Sequence, residues 1–206
     1  MNENFWELLA KLEQLLIPYC RILNILQTDK ARLYEVLHGF AYLCQFWKDY
    51  EDSNMANRIL TRLQQRWELW EQPLLILSWL LHPSYKINYF TSPSASQISY
   101  LHMGKWLIYY YKAWTRSDPQ TILAEFDEFS QGKKYSFDSA TISQFNNNIY
   151  KYWCWVREAY PEIGTVATRI FGICVNAASV ERLWSSIGFY HTKNRNRLKV
   201  NNIIDF

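Results

Sequence analysis

Four cysteines, Cys20, Cys44, Cys154 and Cys174, are all that the 206 residues contain, and no two of them form a CxxC pair. Spread this thinly, with no secretory signal ahead of them, they read as buried thiols in a reducing compartment, not as a disulfide framework. Histidine is as scarce: His38, His82, His102 and His191 are scattered, and none stands at zinc-ligand spacing from a cysteine, so no structural metal site is expected. The stretch MNENFWELL at the start is acidic and helical, which suits neither a signal nor a transit peptide. The longest apolar run, 74–81, has Ser78 inside it and falls far short of the ~20 residues a spanning helix needs. A soluble, intracellular protein with no membrane partner is therefore expected. Internal repeats and low-complexity tracts are missing, and strand signals are weak, with only 170–175 arguable as one. The formal net charge of +3 creates no global field toward nucleic acid or membrane, so any basic patch must be local.

What the chain does hold is apolar and aromatic. Hydrophobic residues make up 49% of it, with ten tryptophans, fifteen tyrosines and eleven phenylalanines, ample for a packed core. The fold class expected is mainly α. Phe5, Leu8, Leu9, Leu12 and Leu16 follow helical spacing, and Pro18 is expected to end or kink that helix. Leu33, Val36, Leu37, Phe40, Leu43, Cys44 and Trp47 form a second apolar stripe. Ser53 or Asn54 would cap a third helix bearing Ile59, Leu60, Leu63, Trp67 and Trp70. After Pro73 the run LLILSWLL is apolar all round, which predicts a helix buried on every side, stopped by Pro83. Further helices are expected over about 97–114, from Asp118 and Pro119, through Ile149, Trp153 and Val156, over about 162–173 and 177–188, and from Val200 onward. Loops are expected over 83–95 and 130–140.

The stretch NAASVERLWSSIGFYHTKNRNRLK, 176–199, carries the chemistry. Asn176 suits an N-cap, and Val180, Leu183, Trp184 and Ile187 fall at i, i+3, i+4 and i+7, a stripe that faces a core or a partner. Glu181 borders that stripe beside Trp184, Ser185 and Gly188. A carboxylate there is partly desolvated and wants an arginine, a proton or a metal, whereas an exposed one would pair with Arg182 or Arg197. Lys193, Arg195, Arg197 and Lys199 follow with no acid among them. Cations at this spacing suit a phosphate backbone, or else make a solvated loop.

Taken together, NAASVERLWSSIGFYHTKNRNRL resembles the C-terminal signature of the hAT-family DNA transposases: a small-residue run, Ser-x-Glu-Arg, an aromatic, Ser, Gly, and a final Arg-Asn-Arg-Leu. YKYWCWVREAYPEIGTVATRIFGI is similar to the Trp-rich helix, Tyr-Pro and following helix that precede it, and RWELWEQPLLILSWLLHP to a segment of the family's helical insertion. The resemblance runs strongly over 126–206 and loosely before that. It implies a helical array from the insertion followed by the C-terminal helices of a ribonuclease H-like fold, divided as an insertion portion, 1–123, and a dimerisation region, 124–206, truncated at its last helix. Glu181 matches the family's third catalytic carboxylate. The family's two aspartates would lie N-terminal to anything here, and Asp118, Asp127 and Asp138 lack the strand context to replace them. One glutamate cannot clamp two ions ~4 Å apart, so the chain is not expected to be an enzyme on its own. No cofactor is expected for it; a divalent metal (Mg) is implied only for a full-length relative, where Glu181 would be one ligand. Arg66-Trp67 is not carried over as the family's stacking pair, because Trp67 lies on its helix's apolar stripe and reads as core.

The expected activity is self-association, as a homodimer or higher oligomer, through the Val180, Leu183, Trp184, Ile187 stripe and the Ile149, Trp153, Val156 face. DNA-backbone contact through Lys193, Arg195, Arg197 and Lys199 is the expected second activity, and the family resemblance implies a nuclear location. Two alternatives stand beside this: a domesticated, non-catalytic DNA-binding or interaction module, and an unrelated helical scaffold.

Overall fold

The computed structural model describes residues 3–85, 99–131 and 139–176. Among these every regular element is a helix: α1 (Glu3–Leu26), α2 (Leu33–Lys48), α3 (Ser53–Glu68), α4 (Gln72–Leu80), α5 (Tyr100–Thr115), α6 (Ile122–Ser130), α7 (Ser139–Gln144), α8 (Ile149–Val156) and α9 (Pro161–Gly172). The mainly-α expectation holds, and the 170–175 stretch that could have been a strand begins inside α9.

The core is assembled around α9. Pro161 supplies a preset first turn, and Ile163, Val166, Ala167, Ile170 and Phe171 are all buried. Helices α4, α5, α6 and α8 pack against it. Gly164 sets how close α8 comes: a Cβ there would sit 2.8 Å from the Cα of Arg157. Helix α4 is buried as its all-round apolar sequence requires, and the one hydroxyl inside it, Ser78, donates to the carbonyl of Leu75 at 2.6 Å. Trp153 is fully buried, and its indole N–H donates to the carbonyl of Leu81 at 2.9 Å, tying α8 to the end of α4. Tyr110 of α5 reaches Glu71 ahead of α4 at 2.5 Å.

Helices α2, α3 and α1 add outward from this core: α2 packs on α4, α3 on α2, and α1 on α2. Trp67 of α3 is half-buried and stacks on Phe40 of α2, centroids 5.5 Å apart, as its place on the apolar stripe predicts. Gly39 lets α1 approach α2, since a Cβ there would meet the side chain of Ile22 at 2.7 Å.

Several expectations are corrected. Helix α1 continues through Pro18 to Leu26, with the proline inside it and buried. The cap of α3 is Asp52, which accepts from the N–H groups of Asn54 and Met55 at 3.0 Å, and not Ser53 or Asn54. Helix α6 begins at Ile122 rather than at Asp118, because the N–H groups of Gln120 and Thr121 point to Glu162, both at 2.7 Å, while Asp118 pairs with Lys112. In return Glu125 of α6 accepts from Glu162 and Ile163 at the start of α9, at 3.0 and 2.8 Å. Each helix thus supplies the carboxylate that caps the other.

The thiols are free, but Cys20, Cys154 and Cys174 are exposed and Cys44 is half-buried, so the buried-thiol expectation fails. The Ile149, Trp153, Val156 face is not open to a partner: all three are buried against the chain's own α9 and the end of α4. The expected division between 1–123 and 124–206 runs through α6, and one hydrophobic core draws residues from both sides of it. No helix among the described residues is long and apolar enough to cross a membrane.

Candidate functional site

The residues that carry the family resemblance most strongly lie outside the described residues. That holds for Glu181, for Val180, Leu183, Trp184 and Ile187, and for Lys193, Arg195, Arg197 and Lys199. The described chain ends where that stretch begins, at Asn176. Its side-chain amide donates to the carbonyls of Leu26 at 2.8 Å and Thr28 at 2.6 Å, satisfying the C-terminal end of α1. The sequence therefore enters the signature from the corner between α1 and α2.

Two cavities meet at that corner, on either side of Tyr34, which lines both. The larger, about 660 Å³, is a groove between α1 and α2. Ile22, Ile25 and Leu26 form one wall, and Glu35, His38 and Tyr42 the other. Glu35 is fixed in place because its carboxylate accepts from the N–H of Arg32 at 2.6 Å, closing the start of α2.

Beneath the groove an aromatic cluster joins α2 to the end of α4. His82 stacks on Tyr85 with centroids 4.1 Å apart, Tyr85 stacks on Trp79 at 5.3 Å, and Tyr34 meets His82 edge-on at 4.6 Å. His82 accepts from the N–H of Ser84 at Nδ1, at 3.2 Å, which leaves its proton on Nε2. Burial, helped by neighbouring His38, pushes His82 down to about 4. Burial also lowers His38, against the pull of Glu35. Burial, followed by Glu35 and Tyr85, drives Tyr34 up to about 12. At neutral pH the cluster is therefore uncharged, a packing unit and not an acid–base pair.

The smaller cavity, about 280 Å³, is the polar one. The turn between α1 and α2 contributes Lys30 and Arg32, and the start of α8 contributes Lys151. Asn146, Asn147 and Asn148 form its rim. Asn146 and Asn147 take left-handed backbone conformations, φ 53 and 56, which asparagine tolerates better than most residues. Asn148 then caps α8 by accepting from the N–H of Lys151 at 3.1 Å. Sequence reasoning missed this cluster, since nothing in a linear pattern joins Lys30 and Arg32 to Lys151.

A third feature lies away from the corner. From Asn4 to Gln14 every residue of α1 is exposed, and the helix settles against α2 only in its second half, through Pro18, Tyr19, Ile22 and Leu26. Tyr19 marks the junction, accepting from the indole N–H of Trp47 at 2.6 Å. The free half carries Phe5, Trp6, Leu8, Leu9 and Leu12, all exposed, with Leu16 following.

Among the described residues no group of three or more His, Cys, Asp or Glu could hold a metal ion, and Glu181 lies outside them. The chain matches no known protein family, no curated protein and no solved structure.

Proposed function

We propose that this chain is a self-associating helical module of hAT-transposase type that does not cut DNA by itself, and that its partner is a second copy of itself. The observation that carries the reading is the free half of α1, where Phe5, Leu8, Leu9, Leu12 and Leu16 are each 44–59% exposed. A contiguous apolar face of this kind marks an interaction surface. Phe5, Leu9, Leu12 and Leu16 are spaced four, three and four apart, the repeat that packs knobs into holes against a like helix. An antiparallel two-fold pair sets the Phe5 end of one α1 against the Leu16 end of the other, so a single stripe complements itself.

The resemblance implies a C-terminal dimerisation region, and the Val180, Leu183, Trp184, Ile187 stripe within it is the second surface in the proposal. Lys193, Arg195, Arg197 and Lys199 add residual contact with DNA, which fits a nuclear protein. Glu181 alone assembles no two-metal centre, so strand cleavage is not among the activities proposed.

Light scattering across about a tenfold concentration range tests this. The expected result is a discrete dimer that becomes monomeric in Leu9→Gln/Leu12→Gln with an unchanged circular dichroism spectrum. A wild-type monomer across that range overturns the reading and favours the unrelated scaffold.

A further inference from the structure

We infer that the pocket formed by Lys30, Arg32 and Lys151 is a binding site for a phosphate group. The fold brings these cations together from two distant stretches of chain, the α1–α2 turn and the first turn of α8, around one cavity of about 280 Å³. No acidic residue lines that cavity. Among the described residues none of the three takes part in an ion pair, and the Arg32 guanidinium donates only to backbone carbonyls, those of Ala31 at 3.1 Å and Asp29 at 3.5 Å.

Gathering like charges around a cavity with no acid in its wall costs free energy unless an anion relieves it, and a concave wall concentrates the resulting field. The shape of the donors narrows the anion. Arg32 is half-buried, with its guanidinium oriented by the Ala31 carbonyl, and such a fork suits the oxygens of a tetrahedral oxyanion. The two lysines are exposed point charges able to meet its remaining oxygens. Cavities that enclose a whole small molecule start at roughly 300 Å³, so this one fits a phosphate with part of its carrier and not an entire cofactor. Tyr150, 42% exposed on the same wall, offers a ring face beside the cations for whatever the phosphate is attached to.

Two sources supply the group: the backbone of a nucleic acid, whose base would stack on Tyr150, and a free or small-molecule phosphate. The inference stands apart from self-association, since none of its residues lies on the free half of α1.

The full-length chain and its Lys30→Gln/Lys151→Gln variant test it. Both positions are exposed, so the variant keeps its fold, checked by its melting temperature. One arm measures anisotropy of a labelled single-stranded oligonucleotide over a salt titration, with Lys193→Gln/Lys199→Gln as a comparison. The other follows thermal stabilisation by inorganic phosphate and pyrophosphate at constant ionic strength. The expected result is about tenfold weaker binding in the Lys30/Lys151 variant, with the salt slope of oligonucleotide binding reduced by about 1 to 2. A loss confined to the oligonucleotide assigns the site to nucleic acid, and a loss confined to saturable phosphate stabilisation assigns it to small phosphates. Equal binding by wild type and variant in both arms, or no binding by the wild type in either, overturns the inference.

Discussion

Removing the Glu125 carboxylate would leave the N–H groups of Glu162 and Ile163 without the oxygen they donate to, at a buried helix start. Glu125→Ala is expected to cost about 2–4 kcal/mol, read from the urea midpoint. Glu162→Ala frees the N–H groups of Gln120 and Thr121 at an exposed site and should cost nearer 1 kcal/mol. Burial works to raise the Glu162 carboxyl, but hydrogen bonds from the backbone of Gln120, Thr121 and Ile122 outweigh it and hold the group below the usual glutamate range. Its contribution is therefore complete above the ordinary glutamate pKa and disappears as pH falls through the lowered one. His82 titrates higher. Its folded value of about 4 lies below the unfolded 6.5, so the unfolded chain binds the extra proton first. Stability should fall as pH drops from 6.5 to 4, by at most about 3 kcal/mol. His82→Phe should flatten that stretch of the curve while leaving the acid limb of Glu162 in place. Sequence spacing shows Glu162 in the first turn after Pro161, but it cannot show that a carboxylate on α6 completes the cap.

At the level of elements, the patterns that could be read were those in which one helix decides its own fate. Helix α4 is apolar all round and buried over 75–78 and at Leu80, with Leu74 and Trp79 half-buried; α2 presents the stripe its spacing predicts. What spacing could not settle was the ending of α1 and the cover of its apolar face. A proline removes one backbone hydrogen bond, yet its buried ring packs where α1 begins to contact α2, and the helix persists. The periodicity of Phe5, Leu9, Leu12 and Leu16 says only that one side is apolar, not what lies against it. Packing also reverses a propensity rule between α8 and α9. Gly164→Ala would ordinarily favour a helix by up to ~1 kcal/mol, but the new methyl meets the Arg157 backbone. The expected net result is a loss of about 1–2 kcal/mol, visible as a lower melting temperature with no change in helical content.

Among the described residues one hydrophobic cluster draws on both sides of residue 123, and a local resemblance carries no information about which helices share such a centre. The same limit hid the cluster of Lys30, Arg32 and Lys151, whose members meet only after α8 and the α1–α2 turn are both in place. The self-association proposed for α1 has a consequence at this scale: only folded copies would bind one another, so the melting temperature should rise with protein concentration. Leu9→Gln/Leu12→Gln should abolish that rise. The placement of α9 also sets how amide protons reach solvent. The free half of α1 has no described neighbour to protect it and should exchange through local fraying. Helix α9 is enclosed by α4, α5, α6 and α8, and its interior amides have no partial opening available. Their exchange with deuterium should require the entire core to come apart, so their rate reads out the global unfolding free energy directly.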